Sequence, residues 1–258
     1  MAQYIKYYWF LESDASEGRI WERVIPITNI EMFFHYKNSF ICHKESETAF
    51  SQPRSFLSGI KNQSLDVGTN GDSGVITVSF YPYGACNFFP FSLFETENAS
   101  INLNEIDNTG VSQLEDQLCM SRALNDRIEI IEQYLLSHFR PVSSDDLKLI
   151  KEGLKLIKSS RGQLDMLGLS RDLFLTEKTL LRKFCSIIGK APKQYCRIVR
   201  FHQIIRSLSE NPDSSLTQIA LDNGYFDQAH FSRDFKALSG YTPKEFLKYC
   251  QCNSEGDN

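Results

Sequence analysis

Long apolar runs are missing from this chain of 258 residues. No stretch approaches the roughly 18 consecutive apolar residues that a membrane-spanning helix needs. The opening residues, MAQYIKYYWFLESD, also lack the charged-then-apolar layout of a secretory signal. We therefore expect a protein that stays in the cytosol and has no membrane partner.

Paired cysteines are missing too. The seven cysteines are odd in number and scattered, with no CxxC pair, so neither a disulfide framework nor a zinc site is indicated. His35, Cys42 and His43 are close in sequence, but no further ligand stands at a recognised spacing. No cysteine stands in a setting that favours a reactive thiolate. We expect structural thiols, no metal, no cofactor and no enzymatic activity.

Charge is distributed unevenly along the chain. Residues 1–145 hold 10 Lys and Arg against 19 Asp and Glu, whereas residues 146–250 hold 18 against 11. Hydrophobic residues make up 41% of the sequence and aromatic residues 12%, enough to build two domain cores. This asymmetry predicts a basic C-terminal module that binds nucleic acid, attached to an acidic module.

An internal repeat organises the basic half. TLLRKFCSIIGKAPKQY, at 179–195, aligns with HFSRDFKALSGYTPKEF, at 230–246, at an offset of 51 residues. Both copies place an apolar anchor inside a helix, a glycine at the helix end and a proline at the start of the next helix. The identical pairs are Arg182 and Arg233, Phe184 and Phe235, Gly189 and Gly240, Pro192 and Pro243, and Lys193 and Lys244.

Each copy follows a shorter apolar segment, which completes a helix-turn-helix pattern. In the later copy Asn223-Gly224 supplies the turn, and Asp227 can cap the second helix. The earlier copy has Leu173-Phe174 at the corresponding place and no glycine, so we expect a longer or reshaped turn. Between the copies, PKQYCRIVRFHQIIRSLSENP predicts one long connecting helix that ends before Asn211-Pro212.

These two units resemble the DNA-binding domain of AraC/XylS-type bacterial transcription regulators, in which the second helix of each unit enters the major groove. The resemblance implies duplex promoter DNA and RNA polymerase as partners. It also implies the base-facing residues, by position: Lys178, Leu181 and Arg182 in the first unit, and Gln228, Ala229, Ser232 and Arg233 in the second. Chemically, Arg pairs with guanine, Gln pairs with adenine and Leu181 suits a thymine methyl group. Basic residues such as Lys236 and Arg200 suit phosphates.

The acidic half is predicted to be β-rich, from alternating runs such as IEMFFHY and GVITVSFYPYG separated by turn residues. A small sandwich or barrel fits, and phrases such as FYPYGACNFFPFSLFETEN resemble cupin-like sensing domains. That resemblance implies a small-molecule effector or dimerisation. An aromatic effector pocket is one interpretation and a filled β core is the other. The pocket candidates are Phe34, Tyr36, Phe80, Tyr81, Tyr83 and Phe88.

An amphipathic helix is expected after the β-rich segment. Ile128, Ile131, Leu135 and Phe139 form one apolar stripe, which either pairs two subunits in a homodimer or packs on the β domain.

The sequence therefore predicts an α+β protein of two domains. Residues 1–140 form a β-rich, cupin-like sensing domain with trailing helices, residues 141–250 form an all-α double helix-turn-helix domain, and residues 251–258 form a disordered tail. The expected function is sequence-specific transcription regulation in response to a small effector. Two alternatives are control by protein docking on the N-terminal domain and a cysteine-based redox or alkylation switch.

Overall fold

The structure of the protein is a computed structural model, and it describes residues 1–43, 48–210 and 215–254, with side chains up to residue 250. The described residues of the N-terminal half form nine strands. They are β1 (Ile5–Ser13), β2 (Trp21–Val24), β3 (Glu31–His35), β4 (Ile41–His43), β5 (Phe50–Ser51), β6 (Ser55–Ser58), β7 (Leu65–Gly68), β8 (Ser73–Phe80) and β9 (Ser100–Asn102).

The strands form two antiparallel sheets. The larger sheet has the order β1-β8-β3-β6-β9, and the smaller has the order β2-β7-β4-β5. The sheets do not close into a barrel, so the sandwich alternative is the correct one. In the larger sheet, Trp9 pairs with Thr77, Thr77 pairs with Phe33, and Phe33 pairs with Phe56. Paired residues point to the same face, so this row lies on one side of the sheet.

Two helices follow the sheets, in agreement with the expected trailing helices. Helix α1 (Asn108–Met120) and helix α2 (Leu124–Ser137) are separated by a short break. Ile131 and Leu135 on α2 are almost fully buried in the core of a single chain, and Phe139 packs on Tyr4 and Phe88. Ile131 and Leu135 are thus covered from within the molecule, as the alternative of packing on the β domain predicted, whereas Ile128 is half-buried and Phe139 is 36% exposed. Pairing of subunits through the rest of the stripe stays a prediction.

In the C-terminal half, the part of the chain that the structure describes forms seven α-helices. They are α3 (Ser144–Ser159), α4 (Met166–Asp172), α5 (Glu177–Ile188), α6 (Pro192–Glu210), α7 (Leu216–Asp222), α8 (Gln228–Ser239) and α9 (Pro243–Ser254). Helix α9 extends four residues into the segment that was expected to be a disordered tail. Asn211-Pro212, the expected end of the connecting helix, lies outside the described residues. No helix in the described part of the chain is long and apolar enough to cross a membrane.

The helix-turn-helix turns have the same backbone shape in both units. Phe174 and Gly224 occupy the left-handed region, with φ of 54° and 75°. The next residues, Leu175 and Tyr225, donate equivalent hydrogen bonds back to Ser170 and Ala220. Thr176 caps α5 two positions after Phe174, whereas Asp227 caps α8 three positions after Gly224. The first turn is therefore one residue shorter than the second. It is not longer but reshaped by the loss of one residue before the cap, and in it a phenylalanine adopts the backbone conformation that glycine normally supplies.

Candidate nucleic-acid interface

Helices α5 and α8 are the second helices of the two units, and local chemistry fixes both of their ends. The Thr176 and Asp227 side chains accept hydrogen bonds from the first-turn amides of Thr179 and His230. Gly189 and Gly240 end the helices in the left-handed conformation, with φ of 79° and 77°. The apolar faces are buried and consist of Leu180, Phe184 and Ile187 on α5, and Phe231, Phe235 and Leu238 on α8.

The opposite faces of α5 and α8 present the side chains that the sequence singled out. Seven of the nine predicted DNA-contacting residues are exposed, Ser232 and Arg200 are partly buried, and Leu181 keeps 46% of its surface accessible. Gln228 Oε1 accepts a hydrogen bond from Thr217 on α7 at 3.0 Å. The Arg233 guanidinium donates to the Ala229 carbonyl at 3.3 Å. The seven exposed residues are Lys178, Leu181, Arg182, Gln228, Ala229, Arg233 and Lys236.

Arg200, the remaining candidate, lies at the junction of the two units. Its guanidinium donates to the Gly162 carbonyl at 2.9 Å and 3.3 Å and lies 5.4 Å from the centre of the Tyr225 ring. These contacts join α6 to the segment before α4 and to the turn of the second unit. Arg200 thus has an internal bracing role in this structure.

A second set of contacts fixes α8 on the connecting helix α6. Arg197 Nε lies 2.6 Å from Asp234 Oδ1, and the Tyr225 hydroxyl donates to Asp234 Oδ2 at 2.6 Å. Gln163 also donates to the Asp222 carbonyl at 3.1 Å, which ties the loop before α4 to the end of α7. Together with Arg200, these bonds join the second unit to α6 and to the loop before α4.

Two residues that the sequence did not single out as functional lie next to α5 and α8, the second helices of the two units. Phe174 and Phe226 are 95% and 90% exposed, and each lies in the turn that precedes α5 or α8. The only sequence signal was an aromatic residue one or two positions before each capping residue.

The predicted effector aromatics do not meet around one pocket. Phe34, Phe80 and Phe88 are buried at 2% exposure or less, and Phe80 packs on Phe88. Tyr81 and Tyr83 stack on each other, and the Lys151 ammonium lies 4.4 Å from the centre of the Tyr83 ring. Tyr36 is nearly buried and donates to Glu12 at 2.7 Å. Four of these six side chains therefore belong to the core, as the second interpretation of the sequence held.

A cavity of about 360 Å³ lies instead between the two sheets, and none of those six residues lines it. Its walls come from Trp9, Glu31, Phe33 and Phe56 on the larger sheet, and from residues such as Val67 on the smaller. Successive residues of a strand point to opposite faces, so Phe33 faces the cavity whereas Phe34 faces the core.

The two halves of the molecule are joined through a buried lysine. Lys190, just after α5, is fully buried, with its Nζ 2.9 Å from Glu97 Oε1 and 2.8 Å from the Ile60 carbonyl oxygen. Burial lowers the pKa of Lys190, and the hydrogen bond to Glu97 opposes that shift. A side chain at neighbouring Gly189 would meet the Leu93 carbonyl oxygen at 2.6 Å. The C-terminal end of α5 therefore packs against the N-terminal domain.

One cysteine has a basic neighbour that the sequence did not reveal. Cys119 is exposed, and the Arg54 guanidinium contacts its sulfur from 65 residues away in the chain. Burial raises the pKa of the Cys86 thiol to about 12 and that of the Cys196 thiol to about 11, which keeps both protonated at neutral pH.

Comparisons with known proteins agree with this geometry. Residues 169–249 match a family described as a helix-turn-helix domain, and residues 1–102 match a domain of unknown function (DUF6597). The Msm operon regulatory protein of Streptococcus mutans is 27% identical over 147 residues, which cover 57% of this chain and 52% of that protein. The uncharacterized HTH-type transcriptional regulator YidL of Escherichia coli is 26% identical over 174 residues, which cover 62% and 58%.

The matched region thus spans little more than half the length of these curated relatives. Among solved structures, ToxT from Vibrio cholerae aligns over 94% of this chain and 98% of its own, with 14% sequence identity and a TM-score of 0.48. The double helix-turn-helix architecture, the family match and the regulators among its relatives lead to one conclusion: residues 169–249 form a helix-turn-helix domain similar to that of AraC-type transcription regulators.

Proposed function

We propose that this protein regulates transcription in the cytosol by binding promoter DNA sequence-specifically through α5 and α8. One observation supports this above the others: two equivalent helices with exposed polar faces are fixed on one connecting helix. Helix α6 has 19 residues and is therefore about 28 Å long. Successive major-groove segments on one side of B-DNA are about 34 Å apart, so one rigid helix of this length suits two adjacent segments.

In this proposal the exposed residues have distinct roles. Arg233 and Gln228 read base edges in the second segment, Lys178, Leu181 and Arg182 read the first, and Lys236 binds phosphate. RNA polymerase is the further partner that the family suggests. A homodimer would have to use a surface that does not include the buried Ile131 and Leu135 of α2.

The N-terminal domain is proposed to sense a small effector in the cavity between the sheets. A volume of about 360 Å³ lies in the usual range for ligand sites. Contacts such as that of Lys190 connect the N-terminal domain directly to the end of α5. A conformational change in that domain can therefore alter the position of α5.

A second candidate is a thiol-based switch at Cys119, which the contact with Arg54 favours because a guanidinium stabilises a thiolate. Titration of the full chain with a thiol reagent, with and without peroxide, tests it. Loss of one accessible thiol together with a change in DNA affinity would support the switch, and loss without such a change would contradict it. Control by protein docking on the N-terminal domain predicts capture of a partner in a pull-down and no small-ligand effect.

The central proposal is tested by selecting bound sequences from a random DNA pool with the full chain. We expect an enriched site with two segments about one helical turn apart, and an affinity that falls steeply with salt because counterions are released. Footprinting should show protection of both segments. Protection limited to half a turn, or no enrichment at low salt, would refute the proposal.

Arg233→Ala provides the residue-level test. Loss of a base contact should weaken binding by about 1–3 kcal/mol and relax the preference at one base pair. Lys148→Ala is the matched control, because it removes an exposed positive charge from α3, outside the reading helices. An Arg233→Ala protein with an unchanged preference at every position would show that α8 is not a reading helix.

A further inference from the structure

The cavity between the sheets has an aromatic wall. Phe33 and Phe56 stack with ring centres 4.6 Å apart, and Trp9 meets Phe33 edge to face at 5.7 Å. All three rings lie on one row of the larger sheet and all three line the cavity. The faces of aromatic rings carry negative potential and attract cations.

A carboxylate stands next to this wall. Glu31 lines the cavity although its residue is only 9% exposed. Trp9 Nε1 donates to Glu31 Oε1 at 3.2 Å, and the flanking residues in the register, Ser58 and Ser79, are small. Short side chains on both sides leave space beside the carboxylate for another group.

Glu31 has no cation of its own within the described part of the chain. No Lys, Arg or His there forms a salt bridge with it, although Lys6 contributes a weak favourable field. Burial raises the pKa of Glu31, and the bonds from Trp9 and Ser79 oppose that effect. A buried carboxylate without a counter-ion is costly, and a cationic ligand would remove that cost.

The other charged side chains that line the cavity are also mostly negative. Glu17 and Glu22 also border the cavity, against the ammonium of Lys61, which donates to Ser100 at 3.0 Å. Glu12 borders the cavity too, but its carboxylate already lies 3.9 Å from Lys37 and 3.8 Å from Arg127. The excess of carboxylates disfavours an anionic ligand, and the remaining walls are largely apolar.

We propose that the cavity between the sheets binds an apolar organic cation, whose ammonium group pairs with Glu31 beside the rings of Trp9 and Phe33. This assigns a chemical class to the effector, and in that respect it rests on the proposed regulatory function. An amine with an aryl or alkyl body matches both parts of the site: the body lies between the apolar walls, and the charged group replaces the missing counter-ion.

The test uses three probes with the same body and different head groups: 4-phenylbutylamine, 4-phenylbutan-1-ol and 4-phenylbutyrate. Calorimetric titration of the full chain at neutral pH should give the tightest binding for the amine, at least tenfold tighter than for the alcohol. The carboxylate should bind most weakly. Equal binding of all three, tightest binding of the carboxylate, or no binding of the amine at millimolar concentration would each overturn the proposal.

Glu31→Gln keeps the shape of the side chain and removes its charge. The amine should then bind no better than the alcohol, while the alcohol keeps its affinity. Glu22→Gln is the matched control, because it makes the same charge change at an exposed residue that borders the same cavity, and it should retain the preference for the amine. Retention of that preference by Glu31→Gln, or its loss in Glu22→Gln, would refute pairing at Glu31.

DNA binding measured on the same preparations separates this inference from the proposed function. If selection yields a two-segment site but the amine fails, the ligand class is wrong and the regulator stands. If the amine binds as described but no DNA site is enriched, the cavity assignment stands and the regulatory function fails.

Discussion

His35 is buried in the larger sheet in a form that fits a neutral ring. Its Nε2 lies 3.0 Å from Gln52 Oε1, and its buried Nδ1 has no hydrogen-bond partner among the described residues. A ring with its proton on Nε2 satisfies both observations. Burial lowers the pKa of His35 from 6.5 to about 4.

We expect this histidine to make the protein sensitive to mild acid. Because the folded pKa is the lower one, the unfolded state binds the proton first, so the stabilisation present above pH 6.5 is lost as the pH falls towards 4. Urea unfolding at pH 7.5 and pH 5 should show a loss of about 2 kcal/mol from this group. The His35→Gln protein should lose about that much less unfolding free energy between the two pH values. Burial also lowers the pKa of His202, but His202 is present in both proteins and contributes equally to the pH dependence of each. Identical pH dependence in the two proteins would contradict the assignment.

Phe174 carries backbone strain that Gly224 avoids in the equivalent turn. A left-handed conformation costs a non-glycine residue roughly 1–2 kcal/mol, and strain of this kind is kept where a side chain has a function. Phe174→Gly should therefore stabilise the protein by about 0.5–1 kcal/mol in chemical unfolding, since the gain exceeds the added freedom of the unfolded chain.

The side chain of Phe174 is 95% exposed, so little burial is lost in this variant. Gly224→Ala is the reverse control and should destabilise the second unit. A more stable Phe174→Gly protein with weaker DNA binding would assign the exposed ring to the interface, whereas a destabilised one would refute the strain argument.

Helix α8 has an exposed face, which we propose contacts DNA, and a buried face, which packs on the core. Substitutions on the two faces should have different effects on stability and on DNA binding. Phe235 is 1% exposed and its ring contacts those of Phe201, Phe231 and Phe246 at 5.1–5.9 Å. Phe235→Ala should lower the free energy of unfolding by roughly 3–5 kcal/mol because it leaves a cavity in this cluster. Thermal unfolding followed by circular dichroism measures the loss.

Arg233→Ala is the matched variant on the exposed face of α8. It should change the midpoint of thermal unfolding by no more than about two degrees relative to the parent protein, since surface substitutions usually change stability by less than about 0.5 kcal/mol. It should still weaken DNA binding. If Phe235→Ala is as stable as the parent protein, the packing role of this helix face is wrong.

At the scale of the whole molecule, Lys190 is one of the residues that join the C-terminal half to the N-terminal half. Lys190→Met leaves the Glu97 carboxylate and the Ile60 carbonyl without their donor, and breaking a buried pair from one side costs on the order of 3 kcal/mol. We expect faster hydrogen exchange at both sides of the interface, around residue 60 and at the end of α5.

The double variant Lys190→Met with Glu97→Gln removes the uncompensated charge as well. It should recover part of the stability that the single variant loses. A double variant no more stable than Lys190→Met alone would show that the two side chains are not energetically coupled.

Local chemistry explains why the C-terminal domain could be predicted from the sequence. The spacing of Phe231, Phe235 and Leu238 specifies one buried helix face. Glycine at the helix end, proline at the next start and Asp227 at the cap act within a few residues. These signals occur twice, and the helices formed where the repeat placed them. The double helix-turn-helix fold was thus determined by the sequence alone.

Tertiary structure decided the features that depend on distant residues. Phe33 and Phe34 are identical in chemistry and adjacent in a strand, so only the position of the second sheet determines which of them lines the cavity. Arg200 looked free to bind phosphate, but Gly162, 38 residues away, engages it. Lys190 meets Glu97, Cys119 meets Arg54, and Ile131 is covered by its own chain. Periodicity shows that a side chain faces inward or outward, whereas its partner across the fold is set by the packing of whole elements.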